Sequence, residues 1–354
     1  MKKNMTPALM CALWLSCCSQ KKDEMGDYAS MGGGSAHATA GAANAPGGEA
    51  NAAGNSGAVG PKAYVGLFGD NAVAVVDLAA NRVIKTIAVP AGPHGVVITP
   101  DGTKVYVSSD GATTVSVIST ADDSITNSIE VGMTPHGLSI SADGKRVVLS
   151  DFGGDKAEII DTATDQVAAS VAVNRPHNSA ISLDAKIAFE GSQQMGMPAI
   201  VVIDLDTAKT VASVALQQAP RALDYAPDGN VYFTVSGKDE LEVLDPKTNE
   251  LGAPIATGGS PHHMLATKDG AFELVVSQTA GDLEFVDPKT GTVTANVATG
   301  TTPHWIALSS DGKRAYVTDE GSNDLAVVDI AAKSVIKLIA VGKGPRKIAV
   351  QPAP

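Results

Sequence analysis

The chain of 354 residues has three cysteines, Cys11, Cys17 and Cys18, and none after them. Beyond residue 18 there can be no disulfide, no Cys-x-x-Cys redox pair and no thiolate metal cluster. Aromatic residues make up only 4% of the sequence, so any core must be filled by valine, isoleucine and alanine, which suit pleated sheets packed on both faces. The absence of Trp-Asp dipeptides argues against blades of the WD-repeat type. There is no run of lysine or arginine, and the net charge is −12, which argues against a nucleic-acid partner because such partners select basic stripes. The apolar run from Pro7 to Leu15 is too short to cross a bilayer as a helix. No Gly-x-Ser-x-Gly turn or phosphate loop is present.

What the chain does have is a repeat. Gly92-Pro93-His94-Gly95 returns as Pro135-His136, Pro176-His177, Pro220-Arg221, Pro261-His262, Pro303-His304 and Pro345-Arg346, with successive prolines 42, 41, 44, 41, 42 and 42 residues apart. A period of that length filled with short strands marks a radial β-array. After each Pro-His turn come four β-rich runs, as in Val96-Val97-Ile98, Val105-Tyr106-Val107, Val115 to Ile118 and Ile125 to Val131. Separated by turn residues, they make one four-stranded antiparallel blade. Asp-Gly closes the first hairpin at Asp101, Asp143, Asp228, Asp269 and Asp311. Aspartate ends the third run at Asp77, Asp161, Asp204, Asp245, Asp287 and Asp329, where its side chain starts a turn.

The chain enters the repeat at Ala63-Tyr64-Val65, which matches the second run, and leaves at Lys347-Ile348-Ala349-Val350, which matches the first. One blade must therefore join the last strand to three N-terminal strands, closing the ring and removing its free edges. The predicted fold is an all-β, seven-bladed β-propeller of four-stranded antiparallel blades over residues 62–354. The segments Tyr316-Val317-Thr318, Val327-Val328-Asp329 and Asp311-Gly312-Lys313 resemble the YVTN family of β-propeller repeats across residues 63 to 354. That resemblance implies the fold and leaves function open, since such propellers include binding proteins, surface-layer components and enzymes.

Residues 1–18 have the pattern of an export signal, with Lys2 and Lys3 ahead of the apolar run. Leu15-Ser16-Cys17-Cys18 resembles the lipobox of a bacterial lipoprotein, the acceptor being Cys17 or Cys18, with an ordinary signal peptide as the alternative. Neither cysteine is followed by aspartate, so the resemblance implies an outer-membrane anchor. Residues 19–61 are rich in glycine, alanine and asparagine, cannot bury a core, and are expected to form a flexible tether. The expected location is the bacterial envelope, facing the periplasm or the cell surface, with membrane contact only through the lipid.

The chain has seven histidines, and five of them follow the repeat proline. In a propeller the first strand of each blade lies nearest the axis, so His94, His136, His177, His262 and His304, with Arg221 and Arg346, ring one channel mouth. Proline stiffens these turns and is expected to hold the residue before it extended. Converging imidazoles suit copper, zinc or iron. The arginines, with His263 and Trp305, are the candidate contacts for a small anionic ligand. Asp110, Asp151, Asp319 and Glu320, at the return of the second strand, are candidate partners that orient the imidazoles. The loop Gln193-Gln194-Met195-Gly196-Met197, with Met264, hints at a soft metal at the channel edge.

Three functions follow. One is an extracytoplasmic propeller that binds a metal ion or small anion at the mouth. Another is a metal-assisted lyase or hydrolase, since Pro-His-Gly turns also resemble those of propeller lyases, with the acid or base drawn from His262, His304, Glu320 and Asp319. The third is a protein-interaction platform with an envelope protein as partner. Duplication of one ancestral turn would also copy a histidine around the ring without any ligand.

Overall fold

In the computed structural model residues 60–352 are described. The signal expected at 1–18, nearly all of the tether expected at 19–61, the three cysteines and His37 lie outside them. Among the described residues there are seven sheets of antiparallel strands and no helix.

Blade one runs through Pro93–Ile98, Lys104–Ser109, Thr114–Ser119 and Ser124–Glu130. Blades two, three, four, five and six begin at Pro135–Ile140, Pro176–Ile181, Pro220–Tyr225, Pro261–Ala266 and Pro303–Leu308. Blade four differs slightly, its outer strand being split into Glu250–Leu251 and Ile255–Ala256. In blade seven Pro345–Val350 pairs antiparallel with Lys62–Leu67, which continues to Ala72–Asp77 and Arg82–Ala88. The last strand of the chain therefore closes the ring as the repeat count requires.

The turn chemistry is as the sequence indicates. Gly102, Gly144, Gly229, Gly270 and Gly312 all have positive φ, between 66° and 91°. Asp77 Oδ1 accepts the N–H groups of Ala79 and Ala80, and Asp161 does the same for Ala163 and Thr164. The core lies between blades. Val65, Val76 and Leu78 of blade seven pack with Tyr316, Leu325 and Val327 of blade six. On its other side Tyr64 and Val75 meet Val105, Val107 and Ile118 of blade one. Each such valine or leucine contributes about 1.5–3 kcal/mol when fully buried, and polar clasps add to this at the periphery. The Tyr64 hydroxyl and the Lys62 ammonium both reach Asp123 in blade one, and Tyr106 and Lys104 reach Asp165 in blade two.

One local expectation is corrected. Six of the seven residues before the repeat prolines are not extended, Ala219 before Pro220 being the one without a positive φ. Thr134, Arg175, Ser260 and Thr302 have φ between 46° and 58°, and Gly92 and Gly344 are also positive. In these six blades the turn brings its carbonyl back to the second strand of the same blade in a left-handed conformation, so the closed turn outweighs the ordinary pre-proline preference there. The pairing occurs in all seven blades: Asp110 N–H bonds Gly92 O, Phe152 bonds Thr134, Gln193 bonds Arg175, Ser236 bonds Ala219, Gln278 bonds Ser260, Glu320 bonds Thr302 and Phe68 bonds Gly344.

Candidate functional site at the channel mouth

Immediately after each proline the register between first and second strands shifts, for example between Pro93 and Val96, Pro135 and Leu138, and Pro176 and Ser179. The irregularity recurs in the other four blades. A bulge of this kind re-aims side chains, and here it turns two successive residues of each strand toward the axis. The first residues form the ring of five histidines and two arginines. The second residues are Gly95, Gly137, Asn178, Ala222, His263, Trp305 and Lys347.

The ring is compact on one side. His94 and His136 stack with centroids 3.7 Å apart, and His136 lies 4.4 Å from His177. Across the mouth His262 and His304 are 4.2 Å apart, and His94 is 5.9 Å from His304. His94, His136 and His304 are buried, whereas His177, His262, Arg221 and Arg346 are partly exposed. Burial, the adjoining His136 ring and Arg346 hold the His94 imidazole well below its usual basicity. Burial and neighbouring cations do the same to His177 and His304 and bring His262 to about 3. Neutral imidazoles are the form that ligates metals.

The carboxylates sort by one position in the strand. Asp110 and Glu320 follow the last residue of their second strands and face the mouth. Asp110 Oδ1 accepts His136 Nδ1–H at 2.9 Å. Glu320 accepts Arg346 Nε–H at 3.0 Å, with its other oxygen 3.9 Å from His304 Nε2. Asp151 and Asp319 are the last strand residues and bond elsewhere, Asp151 to Gly154 N–H and Lys156 within its own blade, and Asp319 to Thr299 at the end of blade five. The methionine hint also separates. Met264 is wholly buried between blades four and five, while Met195 and Met197 are exposed on the loop.

A hydrogen-bond pattern decides which imidazole nitrogens are free. In blades one, four and six a hydroxyl on the second strand accepts an N–H from its own blade and donates to a ring carbonyl of the next. Ser108 links Gly95 N–H to His136 O, Thr234 links Ala222 to His262, and Thr318 links Trp305 to Arg346. Blades three and five carry Gly191 and Val276 at that place. There the histidine takes over, His177 Nδ1 donating to Arg221 O at 2.8 Å and His262 Nδ1 to His304 O at 3.1 Å. Where the hydroxyl serves the carbonyl, His94 Nδ1 and His304 Nδ1 are left buried with no partner. His136 Nε2 is buried without a partner as well, its Nδ1 being held by Asp110.

Beneath the ring the channel is filled. Lys347 is 2% exposed, and its ammonium crosses the axis to Asn178 Oδ1 at 2.6 Å and lies 4.1 Å over the Trp305 ring. Trp305 in turn stacks on His263 at 3.5 Å, and His263 Nδ1 accepts the Ile306 N–H. His263 and Trp305 are thus floor residues rather than rim residues. Burial brings the Lys347 amine down to about 7, opposed by Glu190 and Asp110. Phe152 stands at the rim between His136 and His177, with Arg175 over its face. None of Asn178, Phe152 or the three hydroxyls announces itself in the sequence. Lys347 alone had a signal, as the one lysine at a place that elsewhere holds glycine, alanine, asparagine, histidine or tryptophan.

A closed seven-bladed ring with one residue per blade presented at the mouth defines a β-propeller repeat protein. Residues 52–187 match the family model described as YNCE-like beta-propeller, and the seven four-stranded blades of the ring are in keeping with the resemblance of the repeat to the YVTN family. No curated protein matches it. Among solved structures it resembles hydrazine synthase of Kuenenia stuttgartiensis, at 21% identity and a TM-score of 0.67, over 74% of this chain and 90% of that one. It also resembles the dihydro-heme d1 dehydrogenase NirN in complex with DHE, at 17% identity and a TM-score of 0.61, over 81% and 74% of the two chains. A third is apo AztD from Citrobacter koseri, at 15% identity and a TM-score of 0.63, over 82% and 97%. At these identities the likeness is one of fold.

Proposed function

We propose that this protein is an exported, lipid-anchored propeller whose channel mouth binds a transition-metal ion through His94 and His136. The carrying observation is the pair of buried, unpartnered nitrogens, His94 Nδ1 and His136 Nε2, on rings stacked 3.7 Å apart. Leaving such atoms unsatisfied in a protein interior costs about 1–3 kcal/mol each, which a metal ion bound through their lone pairs offsets. His94, Asp110 and His136 offer ligand atoms that all lie within 4.8 Å of one another. Asp110, bonded to His136 Nδ1, fixes the tautomer that leaves Nε2 free, the usual support for a metal-bound imidazole. The donor set of imidazole and carboxylate suits zinc, copper or iron. Bound there, the ion would supply Lewis acidity or be carried as cargo, and Phe152 shields the side toward His177 from water. Export and anchoring rest on the pattern of residues 1–18 and the lipobox resemblance.

Titration of the chelator-treated full chain with Co2+ tests this. A saturable d–d absorption band that disappears in His94→Ala and in His136→Ala is the expected result. An unchanged band in both variants would contradict it.

The Glu320, Arg346 and His304 cluster favours a second reading, an acid–base enzyme of the lyase or hydrolase class. Glu320 lies between a guanidinium that orients it and an imidazole with which it can exchange a proton. That reading requires turnover that Glu320→Gln abolishes while Co2+ binding persists.

A further inference from the structure

Lys347 is a buried amine with no ion partner among the described residues. Its side chain comes from the closing strand and reaches across to blade three, where it donates to Asn178 Oδ1, with the Leu138 carbonyl at 3.4 Å. Among the described residues no carboxylate hydrogen-bonds to it. Glu190 and Asp110 influence it only through their charge. Glu190 accepts the Ser150 hydroxyl, and burial raises its carboxyl to about 8, which weakens it as a counter-charge. Asp110 is engaged with His136. Buried charges in proteins are ordinarily paired, because an unpaired ion in a low-dielectric interior is costly.

The surroundings are just as one-sided. The charge of Lys347 is felt at His94, His177, His262, His263 and His304, and Arg346 acts on His94, His262 and His304. The buried His304 Nδ1 has no partner, and the pair of nitrogens assigned to the metal leaves it unused. An ammonium with a donor to spare, an orphaned imidazole nitrogen that offers N–H in one tautomer, and a guanidinium at the rim form the donor set that recognises a compact anion. Lys347 closes the channel beneath the ring, since it meets both Asn178 and Trp305 across the axis.

We propose that the propeller mouth is a one-ended cup that binds a small oxyanion, a carboxylate or an inorganic oxyanion, on Lys347 and His304 Nδ1, with Arg346 at the entrance. This deepens the reading of the mouth as a ligand site but does not depend on the metal, because it uses different atoms. The two compartments are then complementary. The anion supplies the negative charge that a divalent ion beside Lys347 and Arg346 lacks, so each ligand tightens the binding of the other by the same factor.

The test uses the full chain treated with chelator, in chloride-free buffer, titrated with sodium formate and with sodium sulfate. Binding is followed by calorimetry and by the fluorescence of Trp305, one of only two tryptophans in the chain. Saturable binding is expected in the parent and in the surface control Lys313→Met, and Lys347→Met should weaken it by roughly tenfold or more, the scale of a lost charged hydrogen bond. If Lys347→Met does not fold, Lys347→Gln carries the same expectation. Absence of saturable binding by both anions in the parent, or equal binding in the lysine variant, overturns the proposal. Co2+ binding separates the two readings: His94→Ala/His136→Ala should lose the metal and keep the anion, and Lys347→Met should do the reverse.

Discussion

His263 shows how burial fixes a protonation state. Its Nδ1 must accept the Ile306 N–H, and burial, then Lys347 and His262, hold it well below ordinary histidine. In the unfolded chain the imidazole takes a proton as pH falls through about 6.5, whereas in the folded chain it does not. The unfolded state therefore binds more protons below that point, and stability falls as pH drops. His263→Asn, whose Oδ1 can still accept, should flatten the decline between about pH 6.5 and 5 in urea unfolding. An unchanged slope would show that His263 is not held neutral.

Lys347 and the carboxylates mark the limit of what single residues reveal in sequence. The five histidines were legible because a stiff Pro-His turn recurs at a fixed period. Asp110 and Asp151, by contrast, look alike in the sequence. They differ by one place relative to the strand end, and one place in a strand reverses the side a residue faces. A lysine that fills a channel was hidden because lysine is almost never fully buried.

At the scale of the strand, the bulge after each proline makes the site. Without it the residues after proline would alternate, and only one layer could reach the axis. Gly137 shows how tightly the bulged strands approach: a Cβ there would lie 2.3 Å from the His177 carbonyl and 2.6 Å from Asn178 Oδ1. Gly137→Ala should cost on the order of 1–3 kcal/mol, as overpacking does, and should disturb Asn178 and the lysine it holds. The exchange between hydroxyl and imidazole can be tested as a cycle. Val276→Thr supplies blade five with the missing hydroxyl, which can take the His304 carbonyl from His262 Nδ1. His262→Ala should then cost less in that background, by about 1 kcal/mol, the value of one hydrogen bond. Equal costs in both backgrounds would show that the two donors do not substitute for one another. Strand number, order and turns were readable from the repeat, but the bulge was not, since it is a property of pairing between strands.

At the scale of the molecule, the ring is closed by six residues. Pro345–Val350 supplies the inner strand of blade seven and carries both Arg346 and Lys347, so closure and site assembly are one event. Truncation before Pro345 should expose the edge of Lys62–Leu67 and give oligomers in size-exclusion chromatography. A monomeric, stable truncated chain would contradict the closure argument. With no disulfide possible beyond residue 18, this strand does the work a staple would do elsewhere.

The most direct measurement is the metal content of the full chain, purified without a histidine tag and exposed in turn to zinc, copper and iron, alongside His94→Ala/His136→Ala. The account predicts about one equivalent of one of these metals in the parent, as one two-histidine site requires, and almost none in the double variant. No bound metal in the parent after all three exposures, or equal metal in both forms, would contradict it.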